Sequence, residues 1–327
     1  MKTTGNVEGP IARSAVMVSP DHTASEAGPF FSVVVPAYND WRPLDGCLFS
    51  LLQQRDAPSF EVIVVDDGSR EAAPEFIRRW ALRYPLTILR QTHYGVSSAR
   101  NRGLRVSRGS AVLFVDSDCR LESDCLFVLR SAIVTSREGD YFQLRLVGDC
   151  SRTVGRAEQL RLTLLQKHMA QSGGRIRYLN TAGFALRREK AEGVPDLFDP
   201  FVRRGEDTLL LADLMQRGEL PVFVPDARVQ HHISLSLIKC LLKDVRSGYL
   251  EAKADRRLAC RQVRIRVSHR ERLRILLSMW RASGGPAIGR ASCLVLMLRQ
   301  LLERATSLVC RHLPFRPGPG MRSEACQ

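Results

Sequence analysis

Asp116 and Asp118 stand one residue apart at the end of the apolar run Ala111-Val112-Leu113-Phe114-Val115. A run so rich in β-branched and aromatic residues reads as a buried strand, and open α/β sheets bind ligands at the carboxyl ends of their strands. Two carboxylates placed there suit a hard divalent cation that shares its oxygen ligands with a diphosphate. Taken alone, Asp-x-Asp after an apolar run is equally an ordinary solvated turn.

The elements that would position these carboxylates are legible around them. Phe31-Ser32-Val33-Val34-Val35 is a first strand, ending in Pro36-Ala37-Tyr38-Asn39, and Phe60-Glu61-Val62-Ile63-Val64-Val65 is a second, ending in Asp66-Asp67-Gly68-Ser69. Between them, residues 41–54 carry Leu44, Leu48, Leu51 and Leu52 at helical spacing, which predicts a crossover helix and parallel strands. Three strand ends therefore converge on one edge. Further helices are expected over 72–83, from about Ser97 and over 122–136, with short strands at 86–89 and 141–147. Gly95 and the free amides of the helix start after it would suit a phosphate or carboxylate.

Phe31 to Asn39, Asp66-Asp67-Gly68-Ser69, Gly95-Val96-Ser97-Ser98-Ala99-Arg100-Asn101-Arg102-Gly103 and Phe114-Val115-Asp116-Ser117-Asp118 occur in one order and spacing. Together they resemble a family 2 glycosyltransferase with the GT-A fold, and 180–188, Gly205-Glu206-Asp207-Thr208 and Val229-Gln230-His231-His232 resemble that family's acceptor-side motifs. The resemblance covers about residues 30–250 and implies an α/β domain with a Rossmann-like, mostly parallel central sheet flanked by helices.

It also implies roles. Pro36, Ala37, Tyr38 and Asp67 would line a nucleoside pocket, with Asp67 accepting a hydrogen bond from uracil. Arg100 or Asn101 would lie against that pocket or the diphosphate. Asp118 would ligate Mn²⁺ or Mg²⁺, Asp116 would contact the ribose or a metal-bound water, and His231 would stand near the metal, although a histidine at a strand end is often structural. Asp207 would be the general base, while a helix cap is the alternative for a carboxylate at a helix start. For Asp66 the two readings are a place beside the nucleoside pocket and a cap for the helix that follows. Thr181, Ala182, Gly183 and Glu206 would border the donor sugar and the acceptor. Relatives usually continue Glu-Asp-Thr-Asp-Leu with a later Arg, whereas here Thr208 is followed by Leu209-Leu210-Leu211-Ala212-Asp213.

The 327 residues suffice for one large α/β domain plus an appendage, and a net charge of +15 points to a polyanionic partner: anionic lipid, nucleic acid or an acidic substrate. The nine cysteines show no zinc-type spacing and fit a reducing compartment. A Gly-rich activating loop with a following Lys, as a nucleotidyltransferase would need, is lacking after the first strand. Residues 1–29 read as a disordered leader and 30–250 as the catalytic domain. From about Asp149 the chain turns Arg-rich, with an amphipathic segment at 157–170 and the loop Gln171-Ser172-Gly173-Gly174, and no motif constrains 149–200.

Beyond Ser234 the pattern is helical. Leu235, Ile238, Leu241, Leu242 and Val245 form one apolar face, with Lys239, Lys243 and Arg246 elsewhere on the turn. A basic helical extension is expected over 251–313 and a loose tail over 314–327. Its arginines, interleaved with Leu, Ile, Met and Trp280, match a helix pair on an anionic membrane surface; packing on the catalytic domain is the alternative, and nucleic acid is disfavoured. The expected function is sugar transfer from a nucleotide-diphospho-sugar, UDP-linked, to the hydroxyl of a lipid-linked or membrane-proximal glycan on the cytoplasmic face. A catalytically weakened accessory protein that binds a nucleotide sugar is the other reading.

Overall fold

The computed structural model describes residues 15–18, 28–149, 153–202, 204–232, 237–259 and 287–311, together with 271, 274–275, 277–278 and 280. The apolar runs read from the sequence form one half of a sheet: β2 (Phe31–Ala37), β3 (Phe60–Asp66), β4 (Leu86–Arg90) and β5 (Ala111–Phe114), after the short β1 (Ala15–Val18). They pair in parallel in the order β4-β3-β2-β5. Both faces are covered, which is why these strands read as continuous apolar runs rather than alternating ones. Val33, Val35, Val62 and Val64 pack on Leu44, Leu48 and Leu51 of α1 (Trp41–Leu52). Val34, Ile63 and Val65 pack on Ala99 and Leu104 of α3 (Val96–Val106).

The chain leaves β2 toward β3 on one side and returns through α3 to β5 on the other. The strand order therefore reverses between β2 and β5, and the crevice beyond their carboxyl ends is where such sheets hold ligands.

The second half of the sheet is mixed. β6 (Cys119–Leu121), β7 (Tyr141–Gly148), β8 (Phe184–Arg187) and β9 (Val222–His231) continue the order as β5-β8-β7-β9-β6, with only β7 and β9 parallel to each other. The expected mostly parallel sheet thus holds for its first half. α4 (Cys125–Thr135) and α6 (Glu206–Gln216) flank it, and α5 (Thr153–Met169), α7 (Leu237–Ala259) and α8 (Ala287–Arg311) form a further helical layer.

Several expectations change. The helix expected over 72–83 is only α2 (Glu75–Arg78), tightening to a 3₁₀ turn at Arg79–Leu82, where Trp80 Nε1 donates to Asp45 Oδ1 at 2.8 Å. Pro74 stands at its start and supplies no amide to continue the helix backwards. Inside the leader, Ala15–Val18 pairs antiparallel with β4 as an edge strand; the rest of residues 1–27 and all of 312–327 lie outside the described residues. The domain boundary drawn at 250 falls within the continuous helix α7.

The apolar face of α7 is not its packed face. Cys240, Asp244 and Ser247 are buried, while Ile238, Leu242 and Val245 are exposed. Leu235 lies outside the described residues. Gly248 permits the closest approach to α8, since a Cβ there would come 2.2 Å from the Glu303 carbonyl oxygen. Arg299 of α8 holds Asp244 with two nitrogens, at 2.7 and 3.0 Å, and reaches Glu158 of α5 at 3.4 Å. Among the described residues, no helix is long and apolar enough to cross a membrane.

Candidate active site

Strand register brings the metal-type residues together. In the antiparallel β6–β9 ladder Cys119 is opposite His231, and His232 N donates to the Asp118 carbonyl at 3.0 Å. His231 Nε2 consequently lies 3.2 Å from Asp118 Oδ2. Burial alone would raise the pKa of Asp118, but the hydrogen bond and charge of His231, with Lys243 of α7 farther off, hold it below the ordinary value. Burial likewise opposes charge on His231, and its bond to Asp118 outweighs this and raises its pKa.

The ligand atoms of Asp118, Cys119 and His231 all lie within 4.8 Å of one another. A carboxylate and an imidazole fit an ion of the Mn²⁺ or Mg²⁺ class that keeps positions for phosphate and water oxygens. The Cys119 thiol does not fit, because burial and the charges of Asp118 and Asp116 push it far above its usual value and leave it a neutral packing group.

Asp116 is tied down from below. Arg100, only 2% exposed, donates to Asp116 Oδ1 at 2.6 Å and to Glu206 Oε1 at 2.7 Å. Its guanidinium carbon sits 5.8 Å from the Phe198 ring centroid. Arg100, expected against the nucleoside pocket or the diphosphate, is a buried strut between the Asp-x-Asp turn and the start of α6. Asn101 also departs from expectation: it is buried and exchanges two hydrogen bonds with the Phe198 backbone, at 2.7 and 3.0 Å, so both ends of its amide are occupied by protein.

At the neighbouring strand ends, Pro36 and Ala37 close β2 and Tyr38 projects beyond it, 41% exposed. Asp67 is buried beside it and bound by the loop after β4. Gln91 Nε2 and Tyr94 N donate to Oδ1, at 2.8 and 3.0 Å, and Gly95 N to Oδ2 at 2.9 Å. His93, which the sequence reading passed over, stacks on Tyr38 and places Nδ1 2.8 Å from Asp67 Oδ2. Asp66 accepts from Ser69 N at 2.8 Å, which makes it a turn carboxylate.

Asp207 lies in the first turn of α6, two residues after Gly205, whose φ of 85° turns the chain into the helix. Its Oδ1 accepts from Thr208 N at 2.7 Å. Desolvation and the adjacent charge of Glu206 outweigh that bond and raise its pKa to about 7. Where relatives carry a second Asp, Leu209 is buried against Val202, so apolar packing anchors this end of α6.

Thr181, Ala182 and Gly183 form a buried 3₁₀ turn capped by Asn180 Oδ1, which accepts from Ala182 N at 2.9 Å. A Cβ on Gly183 would meet Leu146 Cδ2 at 2.9 Å, so glycine there serves close packing on β7.

The family model for glycosyl transferase family 2 matches residues 32–194, which span the parallel strands, the Asp-x-Asp turn and the 181–183 turn. This chain carries a glycosyltransferase family 2 domain. An uncharacterized glycosyltransferase, YibD, of Escherichia coli is 39% identical over 88 residues, covering 27% of this chain and 25% of that protein. The chain thus matches about a quarter of that relative's length. Among solved structures, S. aureus TarS 1-349 in complex with UDP-GlcNAc aligns with a TM-score of 0.53 and 20% identity over 86% of this chain and 89% of that one. A mannosyltransferase from Pyrobaculum calidifontis, in complex with GDP-Man and Mn²⁺, aligns with a TM-score of 0.58 and 18% identity over 86% and 87% of the two chains. At these identities the glycosyltransferases share a fold with the domain.

Proposed function

We propose that this protein transfers a sugar from a nucleotide-diphospho-sugar, UDP-linked, to an acceptor hydroxyl with inversion at the anomeric carbon. The observation that carries this reading is the convergence of Asp118 and His231 beside the switch point of the sheet, 3.2 Å apart, with Tyr38 and Asp67 beyond the neighbouring strand ends. Tyr38 offers the base a stacking face and Asp67 an acceptor for a ring N–H. Asp118 and His231, with Asp116 adjacent, would hold a Mn²⁺- or Mg²⁺-class ion, whose charge offsets that of the diphosphate when bound.

Asp207 takes the proton of the acceptor hydroxyl as its oxygen bonds to the anomeric carbon and the bond from that carbon to the diphosphate breaks. A carboxylate whose pKa is raised to about 7 is a stronger base than an exposed aspartate, which suits it to that role. We assign Glu206, at the start of α6, and the 181–183 turn to the sugar and acceptor side. Purified chain incubated with Mn²⁺ and UDP-, GDP- and TDP-sugars should release nucleoside diphosphate from the UDP-sugars; no release from any donor would favour the accessory reading.

We further propose that the acceptor is presented at a membrane, on whose anionic cytoplasmic face α7 and α8 lie. The support is an outward stripe on each helix, Ile238, Leu242 and Val245 on one and Leu294, Leu298, Leu301 and Leu308 on the other, all exposed. Exposed Lys239, Lys243, Arg246 and Arg290 stand on the same helices, and the whole chain carries +15.

A further inference from the structure

One side chain already makes both contacts that the proposed nucleobase would need. The His93 ring lies on Tyr38 with centroids 4.1 Å apart and planes within 19°. Its Nδ1 points at Asp67, 2.8 Å from Oδ2 and 3.1 Å from the carbonyl oxygen. A flat ring stacked on tyrosine with an in-plane N–H on a carboxylate is also how a uracil would sit there.

Asp67 has no acceptor position to spare for a second ring. Gln91 and Tyr94 occupy Oδ1, while Gly95 and His93 occupy Oδ2. Two of these donors are backbone amides fixed by the entry to α3, whereas the His93 side chain is 40% exposed and can rotate away. Its backbone stays behind: Gly68, at φ 79°, packs so closely that a Cβ would come 2.8 Å from His93 N. The ring is therefore the part of this loop free to give way.

We propose that His93 occupies the nucleobase slot and that a uracil-type base binds by displacing it. This rests on the donor-site reading of Tyr38 and Asp67. An internal competitor scales the apparent dissociation constant by the inverse of the fraction of molecules in which the slot is open, so its removal tightens binding of any ligand that carries the base.

The test is calorimetric titration of UDP with Mn²⁺ into wild type, His93→Ala and Tyr38→Ala, with inorganic pyrophosphate and Mn²⁺ as the probe that lacks a base. His93→Ala should bind UDP at least about three-fold tighter than wild type and pyrophosphate equally well. In wild-type protein, UDP should also shift the His93 ring resonances away from their tyrosine-shielded positions. Unchanged UDP affinity in His93→Ala means the base uses another face, and weaker affinity means the ring is a wall of the pocket; either overturns displacement, as do ring resonances that UDP leaves unmoved. If Tyr38→Ala binds UDP as wild type does, the donor-site reading itself fails, and displacement with it.

Discussion

His231 Nε2 lies 3.2 Å from Asp118 Oδ2 although 113 positions separate the two residues. The pairing follows from strand register: β6 begins one residue after Asp118, β9 ends at His231, and the two are antiparallel with Cys119 opposite His231. A one-residue slip in that ladder would turn His231 to the other face of the sheet. The pairing therefore depends on a three-residue strand, and its buried anchors, Cys119 and Leu121, matter as much as Asp118 and His231 themselves.

Metal affinity should depend on pH through His231. Its pKa is raised above 6.5 because the bond to Asp118 outweighs burial, and a metal must displace that proton. Mn²⁺ affinity should climb as pH rises through the raised value and fall by about ten-fold per unit below it. Mn²⁺ titrations followed by electron paramagnetic resonance check this, and His231→Ala should lose the slope.

Asp207 should trade stability for turnover. Its folded pKa, about 7, exceeds the ordinary 3.8, so above pH 7 the fold must carry a charge that the unfolded chain carries more easily. Below 3.8 both states are protonated and the penalty vanishes. Asp207→Asn should lower turnover by roughly 10²–10⁴-fold with UDP affinity kept. It should also raise the Tm by about 2–4 °C at alkaline pH, with no gain near pH 3. A lowered Tm together with near-normal turnover would assign Asp207 to helix capping. Wild-type turnover should fall as pH drops through about 7.

Arg100 should matter for stability before chemistry. Arg100→Met leaves Asp116 and Glu206 without their buried partner and should cost on the order of 3–5 kcal/mol, read by urea denaturation. Asn101→Ala, which strands two backbone groups of Phe198, should cost about 1–3 kcal/mol.

The outward stripe of α7 and α8 should bind anionic vesicles. Truncation is a poor probe, because α8 packs Cys293 and Leu296 against Ala157 and pairs Arg299 with Asp244 and Glu158. Replacing exposed Ile238, Leu242 and Leu301 with Asp should leave the Tm unchanged and abolish co-sedimentation with phosphatidylserine vesicles at low salt. Equal sedimentation of the two proteins would contradict a membrane face at this stripe.

The parallel half of the fold was legible because strands buried on both faces write themselves as unbroken apolar runs, as in Val33 to Val35 and Val62 to Val65. The three-residue β6 left no such signal. Asp67, Asp116, Asp118 and His231 were legible as residues on strand ends. Their partners were not: that Arg100 joins Asp116 to Glu206, or that His93 reaches Asp67, depends on tertiary packing that periodicity does not encode. The packing of α7 was not legible for a related reason. α7 packs through Cys240, Asp244 and Ser247 and leaves Ile238, Leu242 and Val245 outward, because an ion pair with Arg299 and a glycine contact hold it to α8.

The central claim, that this crevice binds a nucleoside diphosphate through a metal at Asp118, is reached most directly by calorimetric titration of UDP into wild type and Asp118→Asn, each with and without Mn²⁺. The account predicts that wild type with Mn²⁺ binds UDP at least about ten-fold more tightly than wild type without it, and that Asp118→Asn loses this gain. UDP affinity that is indifferent both to Mn²⁺ and to the substitution would contradict it.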